Sequence, residues 1–195
     1  MFDFLPCAAG CGNPAISGST LCGVHSADSA GDVTRISGMI GADSCVSNLI
    51  AAQLRFENMK FAEKHIHSCN FTESVFIDCD FSGCFMRMTF FDFSTFENCD
   101  FSKSDIQFSS FGGSILKDCV FRGSELVHLN YAGAVIDNTC FSNSNLYNSR
   151  FINARIKNCK MDDCNLKKVF FINAQIEYVL FKSSNTAEAI FEIEI

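Results

Sequence analysis

Tryptophan is absent from the 195-residue chain, and its only two prolines, Pro6 and Pro14, both stand near the N-terminus. Because proline cannot donate a hydrogen bond to a β-ladder, the rest of the chain can form long ladders. No run of about 18 apolar residues occurs, so the sequence predicts no transmembrane helix. The N-terminus has neither the basic nor the hydrophobic region of a secretory signal peptide. We therefore expect a cytoplasmic protein.

Motifs for catalysis are also missing. The sequence contains no glycine-rich phosphate loop, no nucleophile elbow and no paired acids in an evident pocket. His65, His67 and His128 are scattered, and we expect them to be ordinary surface residues. The sequence therefore predicts a non-enzymatic protein without a small-molecule substrate.

What the chain does have is a large apolar residue at every fifth position. From Phe56 to Phe181 this column has no insertion or deletion; it skips Thr186 and returns at Phe191. A second column, two residues earlier in each unit, is almost uniformly small. Neither the helical period of about 3.6 nor the two-residue strand period gives this pattern. A repeat this short and strict predicts a solenoid.

Each five-residue unit predicts one short face of a coil. The central residue and the small residue point inward, and the other three point outward. Four units, about 20 residues, make one square coil, and successive coils pair through their backbones. The two aromatic columns that begin at Phe61 and Phe71 then lie on opposite faces. Some glycines fall two residues after a centre, where the chain turns a corner and needs an unusual φ; they are Gly83, Gly113, Gly123 and Gly133.

Stretches such as Cys79-Asp80-Phe81-Ser82-Gly83 and Ser144-Asn145-Leu146-Tyr147-Asn148 resemble the pentapeptide-repeat family, idealised as A-(D/N)-L-x-x. The resemblance covers about residues 54–185. It implies an all-β fold, a right-handed quadrilateral β-helix. It also implies that some relatives mimic DNA to modulate gyrase, and that members related to fluoroquinolone resistance dimerise through their C-terminal ends.

Outside the repeats we expect a Cys/His segment at 1–26, a linker and N-terminal cap at 27–53, and a C-terminal cap or dimerisation strand at 186–195. Residues 43–54 fit either a short helix capped by Asp43 or a degenerate first coil. The last five residues, 191–195, alternate apolar and acidic side chains, which predicts a half-buried strand.

The Cys/His segment has the spacing C-x3-C-x10-C-x2-H, formed by Cys7, Cys11, Cys22 and His25. Three thiolates and one imidazole complete a tetrahedral shell for structural Zn²⁺. The segment resembles short zinc knuckles. The alternative is a disordered leader whose cysteines are incidental.

Most of the other cysteines occupy the small column, where they alternate with Ser and Ala. We expect them to be buried packing residues in a reducing compartment rather than a disulfide framework. They are Cys69, Cys79, Cys84, Cys99, Cys119, Cys159 and Cys164.

Several outward positions carry large apolar residues that we expect to meet around one corner of the second and third coils. They are Phe85, Met88, Phe90, Phe93 and Phe108. Exposed aromatic clusters usually mark contact sites. The alternative is that the N-terminal segment folds back over them.

The net charge of −7 is unevenly spread. Residues 57–137 hold 12 acids and 6 bases, a net −6, and residues 138–182 hold 3 acids and 7 bases, a net +4. The outward residues Glu97, Lys117, Asp137, Lys157 and Glu177 recur every twenty positions with alternating sign. The solenoid, the missing catalytic motifs and the aromatic cluster favour a protein-protein interaction scaffold. The modest net charge and the basic last third count against one alternative, a DNA-mimicking gyrase modulator. The acidic residues around the Cys/His segment count against the other, a zinc-dependent nucleic-acid-binding protein. A homodimer through the C-terminal end stays open.

Overall fold

The computed structural model describes residues 4–192 and shows a parallel β-solenoid of about seven turns with one α-helix. Every strand is three residues long, and strands on the same face are separated by twenty residues or a multiple of twenty. The strands are β1 Cys45–Ser47, β2 Arg55–Glu57, β3 His65–His67, β4 Val75–Ile77, β5 Phe85–Arg87, β6 Thr95–Glu97, β7 Asp105–Gln107, β8 Ile115–Lys117, β9 Glu125–Val127, β10 Val135–Asp137, β11 Arg155–Lys157 and β12 Gln175–Glu177.

Four faces enclose the core, which confirms the predicted square coil. One face is the sheet β1-β3-β5-β7-β9, and another is the sheet β2-β4-β6-β8-β10-β11-β12. The remaining two faces are ladders of single parallel bridges, one running from Ile50 to Ile190 and the other from Lys60 to Leu180. We refer to the ladder from Ile50 to Ile190 as the Ile50 face.

Aromatic side chains fill the interior as two opposed walls, as predicted. On one wall Phe101 stacks on Phe81 and on Phe121, with ring centroids 4.5 Å apart in both pairs. On the opposite wall Phe91 and Phe111 stack at 5.0 Å. Rings from the two walls meet edge to face, an arrangement that adds about 0.5–1.5 kcal/mol per pair beyond burial.

The corners of the coil hold a left-handed backbone at every fifth residue. Gly83 and the other predicted glycines have positive φ, which confirms their assignment to corners. Half of the other corner residues are Asn or Asp, such as Asn58 at φ 53° and Asp78 at φ 52°. Asn and Asp tolerate this conformation better than other residues with a Cβ. Asn and Asp are therefore common at the corners of the coil.

Residues of the small column do more than leave room. The Ser124 hydroxyl donates to the carbonyl of Phe101 (2.8 Å) and accepts from the backbone N–H of Ser104 (3.1 Å). Ser74 does the same for Ala51 and Leu54. Each such hydroxyl satisfies buried backbone groups of the preceding coil, which would otherwise destabilise the fold. The seven cysteines predicted for this column are buried free thiols, as expected.

The N-terminal end is closed by helix α1, Ser29–Ala42, whose N-cap is Asp28. The sequence allows a short helix within residues 43–54 with Asp43 as its N-cap. Helix α1 instead ends at Ala42, before that segment, and Asp43 is its C-cap residue. Residues 45–53 form the degenerate first coil, since β1 pairs with β3 and Ile50 bridges Asn70. No helix within residues 4–192 is long and apolar enough to cross a membrane.

The C-terminal end finishes with a 3₁₀ turn, Thr186–Glu188, and a bridge between Ile190 and Phe170. Phe191 stacks on Phe171 with centroids 5.1 Å apart. The predicted strand 191–195 begins with two residues that lie in a bend, and residues 193–195 fall outside the described part of the chain. One hydrophobic cluster extends from Ile16 to Phe171 across the expected segment boundaries, which stay a prediction.

Candidate metal centre and interaction surface

The four Cys/His residues of the N-terminal segment converge. Their ligand atoms all lie within 4.8 Å of one another, so this group can hold a metal ion. A tight turn brings Cys7 and Cys11 together: the N–H of Cys7 donates to the carbonyl of Asn13 (2.9 Å), and Gly10 and Gly12 take positive φ.

The spacing of these atoms matches the edges of a tetrahedral site. The Sγ atoms of Cys11 and Cys22 are 3.7 Å apart. His25 Nδ1 lies 3.7 Å from Cys7 Sγ and 3.3 Å from Cys22 Sγ. Zn–S bonds of about 2.3 Å at tetrahedral angles place two sulfurs about 3.8 Å apart. The imidazole therefore faces the cluster through Nδ1.

The environment of Cys22 favours its thiolate form. Its burial opposes ionisation, but hydrogen bonds with the His25 side chain and backbone outweigh that effect and lower the pKa of Cys22 to about 6. A thiolate is the form that binds metal. Cys7 and Cys22 are buried, whereas Cys11 and His25 are exposed.

This segment docks on the first coil through a short set of contacts that we call the seam. Ser17 donates its N–H to the carbonyl of Ile50, and the Ser17 hydroxyl accepts from the N–H of Ile50 (both 2.9 Å). A Cβ on Gly23 would lie 2.7 Å from Gln53 Cβ and 2.8 Å from the carbonyl oxygen of Ala52, so only glycine fits there. The N–H of Val24 donates to Gln53 Oε1 (3.3 Å). Sequence spacing gave no signal for the seam.

The predicted aromatic cluster spreads further than expected. Met88, Phe93 and Phe108 are exposed (50%, 71% and 57%), whereas Phe85 and Phe90 are half-buried. The five residues do not share one corner. Met88 and Phe108 stand at one corner of the Ile50 face and Phe93 at its other corner, because one five-residue unit separates Met88 from Phe93.

Three rings of this surface, those of Phe85, Phe93 and Phe108, each contact a neighbouring residue. The Phe85 ring lies under the Arg87 guanidinium (3.7 Å to the centroid). Phe108 stacks on His128 at 4.9 Å, one coil further on. The Phe93 ring occupies the space that a side chain at residue 113 would need, because a Cβ there would come within 2.6 Å of it. The twenty-residue spacing between Phe108 and His128, and between Phe93 and Gly113, is the sequence signal for both contacts.

The alternating charges form the expected ladder only in part. Lys117 pairs with Glu97 (3.1 Å) and Lys157 with Glu177 (3.3 Å). The contact with Glu97 raises the pKa of Lys117. Asp137 accepts a hydrogen bond from Asn158 (2.9 Å). Acids and bases therefore neighbour one another along this face.

A four-sided solenoid of five-residue units is a defined class of fold, and one family model matches part of it. The family model for pentapeptide repeats matches the chain in 8 copies, over residues 114–151 and 132–168. The same register extends in both directions beyond these residues. Residues 114–168 are therefore pentapeptide repeats, and the chain is similar to pentapeptide-repeat proteins. No curated protein sequence matches it at a significant level.

Solved structures of similar fold include a pentapeptide-repeat protein, Rfr23, from the cyanobacterium Cyanothece 51142 (16% identity, 47% of this chain, 63% of that one, TM-score 0.45). The chain thus spans less than two thirds of that structure. Others are a trypsin-treated variant of QnrB1, a plasmid-mediated fluoroquinolone resistance protein (17%, 72% and 91%, 0.38), and HetL, involved in heterocyst differentiation regulation, from the cyanobacterium Nostoc sp. strain PCC 7120 (10%, 83% and 96%, 0.36). These values carry no argument about what this chain binds.

Proposed function

We propose that the protein is a non-enzymatic scaffold that binds a protein partner through the Ile50 face and its two corners. One observation carries this proposal: Met88, Phe93 and Phe108 are bulky, apolar and exposed at positions with φ between 51° and 58°. Most corners of the solenoid have Asn, Asp or Gly instead.

These three residues lie outside the core, and each occupies a left-handed corner of the backbone. A bulky side chain in the left-handed region costs about 1–2 kcal/mol relative to glycine. Exposed apolar surface adds no hydrophobic stabilisation until something covers it. Strained residues of this kind are common at functional sites. A partner with an apolar patch would bury all three side chains at once.

The test replaces all three residues by Asn, the residue that the chain itself uses at many corners. The triple variant Met88→Asn, Phe93→Asn and Phe108→Asn removes the apolar surface and relieves the backbone, so we expect it to fold at least as stably as the wild type. Quantitative pull-down with the full chain should show loss of the partners that the wild type retains.

The matched control is Tyr178→Asn. Tyr178 is 80% exposed at φ 55°, but it stands near the C-terminal end beyond β12, away from the Ile50 face. We expect this control to retain every partner. If the triple variant also retains every partner, the interaction surface has been assigned to the wrong residues.

Zinc is the metal that we propose for Cys7, Cys11, Cys22 and His25. A Cys₃His set whose ligand atoms lie within 4.8 Å of one another, three of the distances being 3.3–3.7 Å, suits a closed structural site. Native mass spectrometry of protein purified without chelator should show one Zn²⁺ per chain, lost on treatment with EDTA. Absence of metal from the wild-type protein would contradict the proposal.

Two alternatives have weaker support. A DNA mimic needs a continuous negative strip, but Lys117 and Lys157 interrupt the acids of the charge ladder. A gyrase supercoiling assay that showed inhibition or drug protection would favour it. Nucleic-acid binding by the Cys/His segment needs free basic residues, but Arg35, which contacts the segment, is paired with Asp32.

We further propose that the protein forms a homodimer through its C-terminal end. Ile176 and Phe181 are only partly buried there, and Leu180 is 55% exposed. The same native mass spectra report the oligomeric state. We propose a reducing compartment such as the cytoplasm, because the buried cysteines serve as free packing residues.

A further inference from the structure

We propose that a metal ion bound to the Cys/His segment keeps this segment docked on the exposed edge of the first coil. We call this metal-dependent docking the latch. This inference rests on the proposed zinc site and adds that metal occupancy controls whether the segment stays docked at the seam. The seam consists of Ser17, Gly23 and Val24 on the segment and Ile50, Ala52 and Gln53 on the coil.

Ser17 takes the place of a missing coil. In the second coil, Asn70 donates its N–H to the carbonyl of Leu49 and accepts from the N–H of Ala51 (both 2.8 Å). The corresponding groups of Ile50 have no preceding coil to pair with. Ser17 satisfies both of them, one with its N–H and the other with its hydroxyl. Without Ser17 this edge would present unpaired backbone groups.

The metal ligands enclose both ends of the seam. Ser17 lies in the loop between Cys11 and Cys22, whose Sγ atoms are 3.7 Å apart. Gly23 lies between Cys22 and His25 and presses its backbone against that of the first coil. A metal that holds these ligands together therefore fixes the positions of both seam residues.

Helix α1 holds Ser17 from a second side. Arg35 Nε donates to the carbonyl of Ser17 (3.1 Å), and the Arg35 guanidinium pairs with the buried carboxylate of Asp32. All hydrogen-bonding groups of Ser17 are thus engaged by the coil or by the helix. The segment itself contributes few side chains to the core, so its order depends on the metal.

Coupling between two sites is reciprocal. If the metal stabilises the seam, then weakening the seam must weaken metal binding, although no seam residue is a ligand. A segment that folds around its metal independently of the coil would show no such effect. The two cases differ in a quantity that can be measured directly.

The experiment measures the Zn²⁺ affinity of the full chain by competition with a chromophoric chelator. Ser17→Ala removes the hydroxyl that accepts from Ile50, and we expect metal affinity to fall about 5- to 150-fold. The matched control is Ser184→Ala at the far end, where the hydroxyl accepts from the N–H of Cys164 (2.8 Å). We expect the control to bind Zn²⁺ like the wild type.

Amide exchange gives a second readout with an internal control. The N–H of Ile50 depends on the segment, whereas the N–H of Ala51 donates to Asn70 in the second coil. On removal of Zn²⁺ from the wild type, exchange at Ile50 should accelerate and exchange at Ala51 should not. If Ser17→Ala has unchanged metal affinity, or if exchange at Ile50 is unchanged, the latch proposal is wrong, but the zinc-site proposal is unaffected. A wild-type protein that binds no Zn²⁺ overturns both.

Discussion

The terminal coils at the two ends of the solenoid are covered to different extents. At the N-terminal end the first coil is sealed, because Ile36 and Ile40 of α1 are fully buried and the coil centre Val46 is only 6% exposed. At the C-terminal end none of the described residues 172–192 is fully buried, and the coil centre Phe191 is 39% exposed. Both ends have the same repeat, but within residues 4–192 a helix covers the core at the N-terminal end alone.

This difference shows what a repeat can and cannot do alone. Each coil is stabilised by its neighbours on both sides, so a terminal coil has lost half of its contacts. The N-terminal end replaces those contacts with the helix and the Cys/His segment. The C-terminal end offers the stack of Phe191 on Phe171 and the bridge of Ile190 to Phe170. We therefore expect the last coil to unfold first.

The largest effect should come from removing apolar contacts at the sealed end. Ile40→Ala leaves a cavity beneath α1 and should lower the free energy of unfolding by about 2–5 kcal/mol. Ile176→Ala at the open end removes a partly exposed side chain and should cost under about 2 kcal/mol. Urea titration of both variants measures the difference. Equal losses would mean that the two ends are equally well packed.

Much of the rod between these ends could be predicted from sequence. Buried residues recur every five positions, so the two aromatic walls containing Phe101 and Phe111 follow from the spacing alone. At the two ends the sequence departs from this five-residue repeat. Ala51 is a buried coil centre too small to stand out in a column of large residues, and helix α1 carries only the N-cap Asp28 and the pair Ile36 and Ile40 as signals.

The candidate sites divide in the same way. The convergence of Cys7, Cys11, Cys22 and His25 could be predicted because metal coordination demands particular residue types at short spacing. The seam could not, since Ser17 and Gly23 act through backbone groups and through the absence of a side chain. The extent of the aromatic surface was missed, although the five-residue spacing between Met88 and Phe93 already assigns them to different corners.

A substitution in the middle of the rod should stabilise the protein. The Tyr131 hydroxyl is buried in the aromatic wall between Phe111 and Phe151 and has no hydrogen-bond partner in the described part of the chain. Burial also raises the pKa of Tyr131. Tyr131→Phe should therefore raise the free energy of unfolding by about 1–2 kcal/mol. A loss of stability would show that the hydroxyl has a partner, such as a buried water.

The alkylation rates of two buried cysteines can compare local opening at the two ends. Cys69 in the second coil and Cys164 near the last coil are both buried, and burial raises the pKa of each to about 11. Because the thiolate is the reactive form, both react only when the chain opens. Alkylation under native conditions, followed by peptide mass spectrometry, should label Cys164 about tenfold faster or more, a difference of about 1.4 kcal/mol in opening. Equal rates would contradict an open C-terminal end.

The smallest effect concerns the charge ladder. Glu97→Lys places a second positive charge opposite Lys117 in the middle of the rod, and Glu177→Lys does so opposite Lys157 on the last strand. Like charges on adjacent strands repel, and salt screens exposed pairs. We expect a slight fall in the denaturation midpoint for Glu97→Lys at low salt, abolished at high salt. The fall in the denaturation midpoint should be smaller still for Glu177→Lys. The last strand already opens locally, so charge repulsion there destabilises the folded state less. A larger effect at residue 177 than at residue 97 would mean that the last coil is held as firmly as the middle of the rod.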